Sequence, residues 1–160
     1  MLQSVWKNPV HFLAFGFGSG VLPKMPGTWG TLAAVPIYLA IQDWRWSMYA
    51  ILVVIMAVIG IGLCGKTAKD LNVHDHPGIV WDEFVGYLIT MFMAPHGWLW
   101  VAIGFVYFRI FDVFKPWPIR KIDRKVGGGL GIMADDWLAG IYALIALQIT
   151  AWFFMGFVAN

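Results

Sequence analysis

Long apolar runs, separated by short polar segments, form most of the chain. The clearest run covers 47–64, which contains 18 residues and no charged side chain. A helix rises 1.5 Å per residue, so this run extends about 27 Å as a helix, which is close to the hydrocarbon thickness of a bilayer. The pattern therefore predicts a membrane-spanning helix over 47–64.

Further apolar segments follow the same pattern. They cover 31–41, 84–95, 97–108 and 137–158. Pro36 lies inside the first of them, where a proline is expected to kink the helix. The two middle segments are long enough to cross a bilayer if one helix begins near Ile79 and the next continues to Phe114.

The N-terminal segment, 1–18, mixes aromatic and aliphatic side chains with polar ones. This composition predicts a short amphipathic helix at a membrane interface. Together the segments predict an all-α fold, a polytopic membrane helical bundle of about five spanning helices plus the short N-terminal interfacial helix. We expect one domain over 1–160.

Composition and charge favour a membrane protein. The chain is 60% hydrophobic and 12% charged, with a mean hydropathy of +0.72, which is far more apolar than an ordinary soluble domain. Ten of the eleven Lys and Arg residues fall before the first span, in 65–82 or in 109–136. These regions alternate with the predicted spans, so the positive-inside rule places all three at the cytoplasm. The single cysteine, Cys64, excludes an internal disulfide.

Five carboxylates stand at the predicted helix ends on this side: Asp82, Glu83, Asp112, Asp135 and Asp136. Each adjacent pair alone is explained by helix capping, since the helix dipole favours an anion at an N-terminus. Together, however, they would converge at one edge of a low-dielectric bundle, where like charges repel and need a counter-charge. An all-oxygen ligand set selects Mg²⁺ or a similar hard cation.

Cations accompany these acids. Arg109, Asp112 and Lys115 are spaced three apart, which is consistent either with an intrahelical ion-pair ladder or with two cations that bind phosphate while Asp112 helps to hold the metal. A second basic group is more typical of contacts to anionic lipid headgroups, and it comprises Arg120, Lys121, Arg124 and Lys125.

Two glycine-rich stretches precede helices. In 18–31, Thr28 is a candidate N-cap, and the stretch is explained either as a turn with a cap or as a loop that meets an anion at a helix N-terminus. In 127–131, four glycines predict a flexible or phosphate-cradling segment before the last helix, with Asp135 and Asp136 near that helix start.

The stretches 18–31, 79–86, 108–119 and 127–140, in this order, resemble the motifs of the bacterial phosphatidylglycerophosphatase A family. The resemblance implies an all-helical enzyme of the bacterial inner membrane that depends on Mg²⁺. It also implies removal of the terminal phosphate from phosphatidylglycerophosphate to give phosphatidylglycerol. The expected partners are the phospholipid substrate and the membrane, without a nucleic acid, and the oligomeric state stays open.

A mechanism follows as a hypothesis. Glu83, Asp82 and Asp136 would bind Mg²⁺, with Asp112 and Asp135 as direct or outer ligands, and one carboxylate would activate water for in-line attack. The phosphate oxygens would be held by a second group, which consists of Lys24, Arg109, Lys115 and the helix N-terminus at Thr28. A covalent aspartyl-phosphate is the competing route, but the Asp-x-Asp motif of the common aspartate-nucleophile phosphatases is absent from the sequence.

Other functional classes fit less well. A small membrane transporter or ion-binding protein that uses the same acids is the main alternative, but it predicts ionisable residues at mid-membrane depth, and the predicted span centres carry none. The sequence also lacks the motifs of histidine-nucleophile lipid phosphatases and of CDP-alcohol transferases. A structural membrane subunit has no use for clustered acids.

Overall fold

The computed structural model describes residues 2–158, and side chains within 4–154. The regular elements of this part of the chain are helices. They are α1 (Leu2–Lys7), α2 (Pro9–Ala14), a 3₁₀ turn (Ser19–Val21), α3 (Pro26–Ile41), α4 (Trp46–Asp70), α5 (Trp81–Thr90), α6 (Trp98–Phe114), α7 (Ile119–Lys125) and α8 (Gly128–Val158). The predicted all-α class is therefore confirmed.

Helix α8 is the centre of the bundle and packs against α4, α5, α6 and α7. Its contact with α5 is close because both helices lack side chains there. A Cβ added at Gly140 would collide with the carbonyl oxygen of Gly86, and Thr90 Oγ1 donates to that same oxygen at 3.0 Å. Small residues at a helix crossing allow such backbone approach. The Gly86–Gly140 crossing fixes α5 against α8.

Cross-contacts show how the helix ends are arranged. On α6, Arg109 lies beside Glu83 of α5, whereas Val101, two turns earlier, accepts a hydrogen bond from the Tyr87 hydroxyl at 3.3 Å. On α3, Gly27 approaches Glu83. The amino ends of α3 and α5 therefore meet the carboxyl end of α6, and this junction holds the polar residues described below.

Among the residues that the structure describes, two helices, α4 and α8, are long and apolar enough to cross a membrane. Their outward positions carry exposed large apolar side chains, such as Val54 and Val58 on α4 and Ile145 and Trp152 on α8. Exposed apolar surface of this extent is expected to face lipid rather than water. The predicted helix over 47–64 lies inside α4.

The count of about five spans stays a prediction. Helices α3 and α6 have 16 and 17 residues, and Pro36 lies inside α3 as expected. Helix α5 has only 10 residues, from Trp81 to Thr90. It extends about 15 Å, half of the hydrocarbon thickness. The helix begins two residues after Ile79, close to the expected start, but it is too short to reach across. The predicted end of α6 at Phe114 is correct.

Three predicted boundaries of the polar regions are also corrected. Helix α4 continues to Asp70, so the first loop is shorter than 65–82. Helix α7 occupies part of the polar region 109–136, and α8 begins at Gly128, inside the glycine-rich stretch 127–131. Gly129 lies within α8, and a Cβ there would collide with the Ile61 carbonyl oxygen of α4, so this glycine allows α8 to pack closely on α4.

The N-terminal segment forms two short helices instead of one. Helix α2 packs on α4, where the His11 Nε2 atom lies 3.1 Å from Asp70 Oδ2. His11 is buried and Trp6 is exposed. The segment is thus anchored to the bundle by a polar contact near the end of α4.

Candidate active site

Three buried carboxylates form a compact cluster. Asp82 and Glu83 come from the first turn of α5, and Asp136 comes from α8. One oxygen from each lies within 4.8 Å of the others, and the exposed fractions are only 9%, 9% and 3%. Three carboxylates at this spacing repel one another strongly unless a cation or protons lie between them.

The helix crossing explains this convergence. Asp82 precedes Gly86 by four residues, and Asp136 precedes Gly140 by four residues. Residues four apart lie on one face of a helix, so the two aspartates sit one turn from the close Gly86–Gly140 contact, on the same side of it. Glu83 is enclosed from α3, where a Cβ at Gly27 would collide with Glu83 Oε1.

The oxygens of this cluster fit a hard divalent cation. Asp82 Oδ1, Glu83 Oε2 and Asp136 Oδ2 are buried and have no hydrogen-bond partner. A buried carboxylate oxygen without a partner is costly, and Mg²⁺ takes oxygen ligands of this kind. The donor set therefore fits the predicted metal, while the identity of the ion stays a proposal.

Two cations bound the cluster, each held by an acid of its own. Arg109 Nη1 lies 2.6 Å from Asp112 Oδ2 and 3.7 Å from Glu83 Oε1. Lys115 does not pair with Asp112, as the intrahelical ladder, one of the two interpretations of this spacing, would require. Its Nζ donates instead to Asp135 Oδ2 at 2.5 Å and to Asp123 Oδ1 at 2.9 Å. Asp135 thus faces a lysine, whereas its neighbour Asp136 faces the carboxylate cluster.

Burial controls the protonation of these groups. It raises the pKa of Asp82 well above its usual range, and the charge of Glu83 adds to the effect. Burial likewise raises the pKa of Glu83, with a further contribution from Asp112 that Arg109 partly offsets. Burial alone would lower the pKa of Lys115, but the hydrogen bonds and charges of Asp135 and Asp123 hold it above its usual range. The lysine is therefore a stable cation.

A cavity of about 250 Å³ opens onto this group of charges. The seven predicted site residues from α5, α6 and α8 and their flanks all line it, namely Asp82, Glu83, Arg109, Asp112, Lys115, Asp135 and Asp136. Among the described residues, its lining does not include the two predicted phosphate contacts, Lys24 and Thr28. The volume is sufficient for a phosphate group and part of a glycerol unit.

Sequence reasoning missed several lining residues. Asp75, His76 and Pro77 reach the cavity from the loop between α4 and α5, and Gly27 reaches it from α3. The sequence signal for this loop is the triplet His74-Asp75-His76, which alone is more typical of a solvated loop. Its place over the cavity depends on where α4 ends. Gly27 lay inside a noted glycine-rich stretch.

Two predictions about helix starts are wrong. Thr28 does not cap α3, because the helix begins at Pro26 after Met25 in the left-handed region. A proline at the first helical position already has the required φ and lacks the N–H that a cap would satisfy. Asp135 and Asp136 lie seven and eight residues into α8, so they do not cap it either. Asp135 is instead paired with Lys115, whereas Asp136 belongs to the carboxylate cluster.

Comparison with known proteins shows the family. The family model of phosphatidylglycerophosphatase A matches residues 12–151. The chain belongs to the phosphatidylglycerophosphatase A family. The matched range includes every residue of the carboxylate cluster and both bounding cations, and it confirms the resemblance found from the sequence.

Several bacterial relatives are similar over most of their length. Phosphatidylglycerophosphatase A of Escherichia coli is 54% identical over 135 residues, which cover 84% of this chain and 78% of the relative. The protein of that name from Haemophilus influenzae is 45% identical over 88% of this chain and 87% of its own. A Bacteroides thetaiotaomicron protein, whose name provisionally assigns it as a phosphatidylinositol-3-phosphatase, is 38% identical over 86% of this chain and 90% of its own. No solved structure matches this chain.

Proposed function

We propose that this protein hydrolyses the terminal phosphate monoester of phosphatidylglycerophosphate to give phosphatidylglycerol. The observation that carries the proposal is the cluster of Asp82, Glu83 and Asp136, with unpartnered buried oxygens, in one cavity with Arg109 and Lys115. Membership of the family and the two relatives of that name support the substrate. Hydrolysis of a phosphate monoester needs charge stabilisation and a positioned water, and these groups supply both.

We assign the metal site to Asp82, Glu83 and Asp136, and Mg²⁺ to that site. An Mg²⁺ ion held there would neutralise phosphate charge and would lower the pKa of a coordinated water. Asp112 and Asp135 hold Arg109 and Lys115 in place through their ion pairs, at 2.6 and 2.5 Å. This differs from the expectation that both acids are direct or outer ligands of the metal.

The protein groups then have separate tasks. Arg109 and Lys115 donate to the phosphate oxygens, where negative charge must be stabilised during transfer. A carboxylate of the cluster accepts a proton from the water that attacks phosphorus in line. The bond from phosphorus to the glycerol oxygen breaks, and that oxygen takes up a proton from solvent to leave as the hydroxyl of phosphatidylglycerol. Lys24 and Thr28 have no part in this assignment, since neither lines the cavity.

We place the protein in the bacterial inner membrane as a multi-pass chain, with its N-terminus and active site at the cytoplasm. The charge distribution supports this orientation, because ten of eleven Lys and Arg residues fall in regions that the spans would leave on one side. The site lies at helix ends rather than at a span centre, so it meets a headgroup phosphate without removal of the lipid from the bilayer. This position also disfavours a transport pathway, which would need charges at mid-depth.

The test is phosphate release by the purified full-length protein in neutral detergent micelles with Mg²⁺. The substrates are phosphatidylglycerophosphate and phosphatidylinositol 3-phosphate, because the relatives are named for both headgroups. We expect faster release from phosphatidylglycerophosphate. Faster release from the inositol lipid would reassign the headgroup, and no release from either lipid by a folded sample would refute the phosphatase function.

A further inference from the structure

A second cavity, of about 460 Å³, lies beside the candidate active site. Five of its seven lining residues are cations, and no acid is among them. The lining consists of Lys115, Pro116, Trp117, Arg120, Lys121, Arg124 and Lys125. Such a concentration of positive charge around one concave surface is suited to an anion.

Most of these cations are available for a ligand. Within 4–154, Lys121, Arg124 and Lys125 form no ion pair with a carboxylate, and all three are exposed. Arg120 donates from Nη2 to the Phe114 carbonyl oxygen at 3.1 Å, which orients its guanidinium. Lys115 is neutralised by Asp123 and Asp135. Among the described side chains, the other four cations of the cavity have no carboxylate partner, so the cavity carries a net positive charge.

Lys115 lines both this cavity and the cavity of the carboxylate cluster. The two cavities are thus neighbours that meet at one side chain. Beside them, Trp117 is 78% exposed and Phe114 is 68% exposed, whereas Ile119 is fully buried and anchors α7. An exposed tryptophan next to lysines and arginines is typical of the headgroup layer of a membrane.

We propose that this basic cavity binds the phosphodiester of the lipid substrate while the carboxylate cavity receives its phosphate monoester. The inference rests on the proposed function, because phosphatidylglycerophosphate carries both groups on one glycerol unit. The basic cavity and the carboxylate cavity are two adjacent anion sites with different surroundings. They match the diester and the monoester phosphates of the substrate, which are separated by three carbons. The basic cavity thereby selects a monoester that is attached to a phospholipid diester over a free monoester.

The test variant is Lys121→Gln/Arg124→Gln, which removes two exposed cations outside the active site. The matched control is Lys7→Gln/Lys69→Gln, which removes two exposed cations that line neither cavity. In neutral micelles the substrate is the one anionic lipid. We expect KM of the test variant to be about tenfold higher than that of the wild type, with little change in kcat. The reason is that the charge-assisted contacts to the diester are lost. The control variant should retain the wild-type KM.

Two results from the test variant would overturn the proposal. One is an unchanged KM for the test variant in neutral micelles. The other is a rise in KM that is confined to vesicles containing added phosphatidylglycerol, which would mean that the cavity binds a neighbouring anionic lipid instead of the substrate. An equal rise in KM in the control variant would show that the effect comes from a general loss of surface charge. That result would also refute the assignment.

A binding experiment separates this proposal from the proposed function. Calorimetric titration with glycerophosphoglycerol, a soluble phosphodiester, should show binding to the wild type that is about tenfold weaker in the test variant. Titration with glycerol 3-phosphate, a soluble monoester, should give equal affinities. If the wild type hydrolyses no lipid, the proposed enzymatic function fails. This titration would still decide whether the basic cavity binds a phosphodiester. Equal or absent diester binding in both proteins would overturn it.

Discussion

The Nη1 atom of Arg109 lies 3.7 Å from Glu83 Oε1, and Asp112 Oδ2 lies 2.6 Å from the same nitrogen. The arginine therefore stands between an acid assigned to the metal and an acid that orients it. A cation in this place can turn toward a phosphate without leaving its ion pair with Asp112. This relationship links the metal ligands to the phosphate site and gives the first prediction.

Replacement of Arg109 by glutamine should lower kcat/KM for phosphatidylglycerophosphate by about 100-fold, because a charged donor to the transferring phosphate is lost. Arg109→Lys should restore part of the activity, since it retains the charge without the planar fork. The measurement is steady-state phosphate release with saturating Mg²⁺. Wild-type kcat/KM in Arg109→Gln would show that the residue only balances buried acids.

Glu83→Gln should reduce activity by about 100-fold or more, since the amide keeps the shape but not the charge of a metal ligand. Half-maximal activity should also require more Mg²⁺. Asp43→Asn is the matched control, because Asp43 is an exposed acid outside the cavity and should behave as wild type. Normal Mg²⁺-dependent activity in Glu83→Gln would remove this residue from the site.

Replacement of Gly27, on α3, by alanine should disturb the carboxylate cluster. A Cβ there would collide with Glu83 Oε1 and lie 2.9 Å from Arg109 Nη1. We expect Gly27→Ala to cost about 1–3 kcal/mol of stability and to reduce kcat, because the displaced carboxylate no longer aligns with Asp136. Gly62→Ala is the control, since open space surrounds that position. It should change stability by no more than about 1 kcal/mol and leave kcat intact. Equal behaviour of the two variants would contradict the predicted contact.

Stabilisation by Mg²⁺ should depend on pH. Burial raises the pKa values of Asp82 and Glu83, so the metal-free folded protein binds more protons than the unfolded chain and loses stability as pH rises through those values. Mg²⁺ binds the deprotonated carboxylates and competes with these protons. Thermal unfolding in detergent should therefore show a larger Mg²⁺-induced rise in Tm at about pH 8 than at about pH 5.5. A rise in Tm that is independent of pH would exclude these acids as ligands.

Much of the site follows from the sequence because its charges are few. Asp82, Glu83, Asp112, Asp135 and Asp136 all stand beside long apolar segments, so their convergence at helix ends could be predicted before their distances were known. The resemblance of four ordered stretches to one family supplied the reaction. The all-α class and the helix over 47–64 could be predicted from the hydrophobic pattern alone.

Other features depend on long-range packing that a single sequence does not reveal. Lys115 bonds to Asp135 rather than to Asp112 because α6 ends in a left-handed residue, which turns the lysine toward α8. The close approach of Gly27 to Glu83 depends on how α3 and α5 are positioned relative to each other, which the sequence alone does not give. The glycines of 127–131 favour a loop locally, but contact with α4 makes most of this stretch helical.

The most direct test of the central proposal is removal and return of the metal in the wild-type protein. Phosphate release from phosphatidylglycerophosphate is measured in neutral micelles with Mg²⁺, after excess chelator, and after Mg²⁺ is restored. We expect activity to be abolished by the chelator and recovered with Mg²⁺, and Glu83→Gln to recover little at the same concentration. Full activity in the presence of the chelator would contradict a catalytic metal held by Asp82, Glu83 and Asp136.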